Sequence, residues 1–105
     1  MREEKEDDMA RYLMLFRYTA QGINRIKESP KRIEAGRKAF REVGAEMKEW
    51  YLALGQYDGV VLAEAPDDET MARAALWVGS QGNVGTETLR LFTEAEFKDM
   101  VAKLP

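Results

Sequence analysis

The stretch Gly55-Gln56-Tyr57-Asp58-Gly59, with the apolar run 60–63 and then Glu64-Ala65-Pro66-Asp67-Asp68-Glu69, constrains the chain more than any other segment. Two glycines around a Tyr-Asp pair make a tight turn that joins two strands. Pro66 has no N–H to give to a ladder and ends the second of them. Asp67 or Asp68 then caps a helix, with Glu69 favourable at its positive end. In a chain of 105 residues, such a strand–turn–strand–helix unit belongs to one domain with a single core.

The flanking sequence completes the pattern. Residues 10–18 alternate, with Tyr12, Met14, Phe16 and Tyr18 on one face and Leu13 and Leu15 on the other, between Arg11 and Arg17, a strand that is apolar on both sides. Helices on only one face of its sheet would leave the aromatic face wet unless a second chain covers it. That predicts a homodimer formed face to face through the sheets, and the broad apolar surface around Trp77 leaves room for a higher oligomer. Residues 21–29 read as a helical lead-in. Ser29 as cap and Pro30 at the first position open a helix that Gly44 stops, with Ile33, Gly36, Phe40 and Val43 inward. A second strand is expected over 46–54 and a third over 59–65. The next helix turns Met71, Ala74, Ala75 and Val78 inward and ends at Gly79 and Gly82, and 83–92 is the fourth strand. Thr93 and Glu96 spell a capping box for a last helix with Phe97, Met100, Val101 and Leu104 on one side. The order is strand, helix, strand, strand, helix, strand, helix: an α+β, ferredoxin-like βαββαβ fold with an added C-terminal helix.

Composition narrows the chemistry. The chain has no cysteine and no histidine, which removes disulfides, thiolate nucleophiles, the commonest metal ligand and the usual neutral-pH base. No resident cofactor or metal is expected. The net charge of −3 sits in residues 1–8, so the rest of the chain is balanced. That head is expected to be disordered, with residues 9–105 as the single domain and Met9 an alternative start. It lacks the apolar core of a secretory signal, and no run reaches the roughly 18 apolar residues that span a bilayer. The reading is a cytoplasmic protein with no membrane partner. The basic segment 22–44 reads as a solvated helix face, with no nucleic-acid partner, because no RNA-binding motif accompanies it.

From Met9 to Thr93 the chain resembles the GYD-domain family, small proteins named for a Gly-Tyr-Asp signature. The matching pieces are Phe16-Arg17-Tyr18-Thr19 with Gly22, Ser29-Pro30-Lys31-Arg32, Leu54-Gly55-Gln56-Tyr57-Asp58, the run from Glu64 to Glu69, and Gly82-Asn83-Val84-Gly85-Thr86-Glu87-Thr88. The resemblance implies a dimeric α+β barrel, in which two ferredoxin-like sheets pack face to face. It implies no activity, since fold transfers none.

Two kinds of function fit these residues. The first is a small-molecule pocket between the sheet and its covering elements, lined by Tyr12, Met14, Phe16, Tyr18, Glu64, Thr86, Thr88 and Arg90. If catalytic, it suits cofactor-independent oxygenation or isomerisation of a small metabolite. The second is an assembly or interaction protein whose aromatic face makes only the oligomer interface. Glu64 stands at an apolar strand end and needs a partner: Arg90 first, Arg11 or Arg17 as alternatives. Gly55, Tyr57, Asp58, Pro66, Asp67, Asp68 and Asn83 read as architectural, Asn83 as a positive-φ residue in a helix-to-strand turn.

Overall fold

The computed structural model describes residues 9–105, so the expected acidic head lies outside the described residues. Strand β1 (Ala10–Tyr18) leads through helix α1 (Ala20–Asn24) and a 3₁₀ turn (Ile26–Glu28) into helix α2 (Ser29–Val43). Strands β2 (Glu46–Leu52) and β3 (Gly59–Ala65), helix α3 (Asp68–Ser80), strand β4 (Val84–Leu91) and helix α4 (Glu94–Ala102) follow. The four strands form one sheet in the order β2-β3-β1-β4, every neighbouring pair antiparallel. This is the ferredoxin-like arrangement with an added C-terminal helix. No helix among the described residues is long and apolar enough to cross a membrane.

Local chemistry sets the element ends. The Asp67 carboxylate accepts the Thr70 N–H at 2.8 Å and caps α3, and Thr93 and Glu96 close a reciprocal capping box on α4. Gly44 stops α2 at φ +98°. Ser29 does not cap α2. It already has helical backbone angles, because the 3₁₀ turn runs straight into the helix. Strand β2 stops at Leu52, and its register shifts between Met47 and Glu49. The connection to β3 is therefore a six-residue loop rather than a tight turn.

The cross-strand register separates two faces. Tyr12, Met14 and Phe16 point to the side of α2 and α3 and are buried with Phe40, Val61, Ala63, Met71 and Ala74. The opposite face carries Leu13 and Leu15 of β1, across from Leu62 and Val60 of β3 and Leu89 and Glu87 of β4, with Tyr51 at the β2 edge. The expectation that the aromatic side of β1 needs a second chain is thus corrected. The helices take the aromatics, whose larger rings fill the layer beneath α2 and α3, and the aliphatic face is the open one. Helix α4 leaves Phe97, Met100 and Val101 exposed, and Leu104 just beyond its end is exposed as well.

Candidate functional site

A half-enclosed cavity of about 130 Å³ lies between the sheet and helices α2 and α3. Strand β1 supplies Met14, Phe16 and Tyr18 to its wall, and β2 supplies Met47 and Trp50. Helix α2 contributes Ser29, Arg32, Ile33, Gly36 and Phe40, while Trp77 and Val78 of α3, then Gln81 and Asn83, close the far side. The aromatic rings interlock: Phe16 meets Tyr18 edge-on at 5.6 Å and Trp50 at 5.7 Å between centroids. Arg32 is the only charged side chain of the lining. Its Nη1 donates to the Arg25 carbonyl and its Nη2 to the Gly22 carbonyl, both at 3.1 Å. One phenol, one guanidinium and no carboxylate suit binding better than proton transfer.

The corner beside this cavity is built from segments far apart in sequence. Thr19 Oγ1 donates to the Gly82 carbonyl at 2.6 Å, the Thr19 N–H donates to the Asn83 carbonyl at 3.1 Å, and Gln21 Nε2 donates to Asn83 Oδ1 at 2.9 Å. Gly22 sits so close that an added Cβ would lie 2.0 Å from the Asn83 carbonyl oxygen. The left-handed residue of this turn is Gly82, at φ +80°, and Asn83 is not positive-φ as expected. With Gly82 absorbing the reversal, Asn83 is free to act as a hydrogen-bond hub.

The Tyr57–Asp58 loop is pinned to the end of β1. Asp58 Oδ2 accepts the Tyr18 N–H at 2.8 Å, and the Asp58 N–H donates to the Phe16 carbonyl at 2.8 Å. Tyr57 donates to Glu87 of β4 at 2.6 Å, a bond that raises its pKa, and the Arg17 guanidinium lies 4.7 Å from its ring centroid. Gly55, at φ +136°, reverses the chain before them.

At the opposite end of β1 the Tyr12 hydroxyl donates to Asp68 Oδ1 at 2.6 Å. Burial, and then this hydrogen bond, push its pKa up to about 12. Arg90 stands 3.9 Å from Asp68 and lies over the rings of Tyr12 and Phe92. Such a phenol is a latch between β1 and α3, and a poor base at neutral pH.

Of the residues expected to share a pocket, the structure brings Met14, Phe16 and Tyr18 together. Thr86 and Thr88 border a separate shallow groove against Ala72, Ala75 and Leu76 of α3, and Tyr12 and Arg90 belong to the latch. Glu64 lies on the other face. It is 6 % exposed, and its partner is Arg11, at 3.8 Å, rather than Arg90. The register explains this correction. Glu64 pairs across with Arg11 and Arg90 with Tyr12, and adjacent β1 residues point to opposite sides. The acidic run after Glu64 is dispersed by its own partners, Asp67 as cap, Asp68 on Tyr12 and Glu69 on Arg73. Among the described residues no three such side chains gather as a cation site. Sequence reasoning missed Ser29, Arg32, Trp50 and Trp77 as cavity residues. The two tryptophans were the available signal, and Arg32 had none among its basic neighbours.

The family model of the GYD domain matches residues 12–101, and the chain belongs to that family. It is similar to a Thermus thermophilus protein named glutamine synthetase and cystathionine beta-lyase binding protein, 35 % identical over 97 residues that cover 91 % of this chain and 99 % of that one. In structure it is similar to the crystal structure of MtbAldR, with a TM-score of 0.66 at 12 % identity, covering 90 % of this chain. It spans only 59 % of that protein's length, and the likeness is one of fold.

Proposed function

We propose that this GYD-domain protein is a homo-oligomeric protein-binding module that attaches to an enzyme of nitrogen or sulfur amino-acid metabolism. The observation that carries this reading is the open sheet face. Among the described residues no helix covers the apolar centre of Leu13, Leu15, Val60 and Leu62, and Arg11, Arg17, Glu46, Glu49 and Glu87 rim it with both signs of charge. An apolar patch inside a polar rim is the anatomy of a protein interface, and mixed charge lets a second copy meet it without net repulsion. The name of the Thermus thermophilus relative supports enzyme partners of the same kind. Self-association through the sheets leaves the exposed side of α4 and the helical layer for the enzyme.

The test is light scattering coupled to size exclusion, with the chain alone and then mixed with the host's glutamine synthetase and cystathionine β-lyase. The expected result is a dimer or larger assembly that co-elutes with at least one enzyme, while Leu62→Glu returns the chain to monomer. A monomer at micromolar concentration that co-elutes with neither enzyme contradicts the reading.

The cavity supports a second reading, in which the module also holds a small molecule. Its aromatic wall with a few polar groups has the composition of a ligand pocket.

A further inference from the structure

We propose that the cavity binds a small monocarboxylic acid with an apolar body, its carboxylate held by Arg32; this rests on the second reading above. The size fits a single ring or a short branched chain. An engineered apolar cavity of about 150 Å³ takes up benzene, and this one measures about 130 Å³.

The charge pattern identifies the head group. Arg17, Arg25 and Arg41 are exposed to solvent, and Arg11, Arg37, Arg73 and Arg90 each face a carboxylate. Among the described residues none lies within ion-pair distance of Arg32, which is half-buried on the cavity wall. Two of its five N–H donors are used on the Arg25 and Gly22 carbonyls. Those bonds hold the guanidinium in place and leave donors for a carboxylate, the geometry that an arginine fork recognises best. The Ser29 side chain, 9 % exposed, also borders the cavity. It is a second donor for the same head.

The remaining wall sets the specificity. Met14, Phe16, Trp50 and Trp77 offer no carboxylate. A second anionic group on the ligand would be buried against rings, and an ammonium group would find no anion to pair with. Dicarboxylates and amino acids are therefore disfavoured against simple monocarboxylates.

The chain carries a built-in reporter, since its two tryptophans both line the cavity. Titration with benzoate at fixed ionic strength is expected to give a saturable change in tryptophan emission and a higher melting temperature. Benzamide, its neutral isostere, is expected to bind roughly tenfold more weakly, and phthalate not at all. Arg32→Gln is expected to weaken benzoate by roughly tenfold and leave benzamide unchanged, with Arg32→Lys intermediate. Equal affinity for benzoate and benzamide in the unaltered protein overturns the carboxylate assignment while the cavity reading stands, and this comparison needs no variant. Absence of a saturable response to either probe overturns both.

Discussion

The two faces of one sheet carry comparable amounts of apolar side chain and have opposite fates. Beneath α2 and α3, Tyr12, Met14 and Phe16 are almost wholly buried. One residue away along the same strand, Leu13 and Leu15 are only half-covered, and Leu89, across from Leu13 on β4, is 40 % exposed. The contrast teaches that burial here is decided by which face the crossover helices return to, and hydrophobicity alone does not predict it. The covered face holds the stability of the monomer, while the open face is available for association.

Phe40→Ala should test the covered face most severely. Phe40 is fully buried, and its loss should cost about 3–5 kcal/mol in urea unfolding. A cost near zero would mean that the helical layer is not the core.

Arg11→Ala addresses the one charge buried on the open side. It leaves the Glu64 carboxylate, 8 % exposed, without its partner. Breaking a fully buried pair costs about 3–5 kcal/mol, but Arg11 is 38 % exposed and partly screened. About 2 kcal/mol is expected, whereas Glu64→Leu should be nearly neutral because it removes the buried charge outright. Equal losses in the two variants would show that the pair itself stabilises the fold.

Leu13→Ala should cost about 1 kcal/mol in dilute monomer. The sharper measurement is its dependence on protein concentration. If the open face is an interface, the cost grows with concentration, because association binds only the folded chain.

The smallest effect is a titration across the sheet. Tyr12, on the covered face, has its pKa raised to about 12, mainly by burial. Tyr51, on the open face, is raised chiefly by its hydrogen bond to Glu49. A folded pKa above the unfolded one means that stability is fully present below about pH 10 and is lost as pH rises through the folded value. Absorbance titration should find Tyr12 silent until close to pH 12. Glu49→Gln should lower the Tyr51 transition alone. A Tyr12 that ionises normally in the folded protein would contradict the latch to Asp68.

Much of the architecture was legible in the sequence because its signals are local. Gly44, the Asp67 cap and the Thr93–Glu96 box each act within one turn of chain, and the order of elements follows from them. The orientation of β1 was not legible. Alternation separates Tyr12, Met14 and Phe16 from Leu13 and Leu15 but carries no mark of which set meets the helices. The Glu64 partner failed for the same reason, since choosing Arg11 over Arg90 needs the register of three strands. Arg32 was hidden among seven basic residues between Gly22 and Gly44. What distinguishes it, a place on the cavity wall with its guanidinium tied to the Gly22 and Arg25 carbonyls, exists only in three dimensions.

The clasp between Thr19 and Gly82 has a consequence in time as well as in space. Its two ends are 63 residues apart in the chain, so joining them costs on the order of 3–4 kcal/mol of loop-closure entropy unless intervening structure has already drawn them together. Contacts of such long range slow folding, and this one is expected to form only once β1 and β4 have paired beside it at Tyr18 and Val84. Interactions that form late leave the folding rate nearly untouched and act on the escape rate instead. The small corner of Thr19, Gly22 and Asn83 is therefore expected to act on the lifetime of the folded molecule, and Thr19→Val should speed unfolding in a stopped-flow measurement while leaving the refolding rate nearly unchanged.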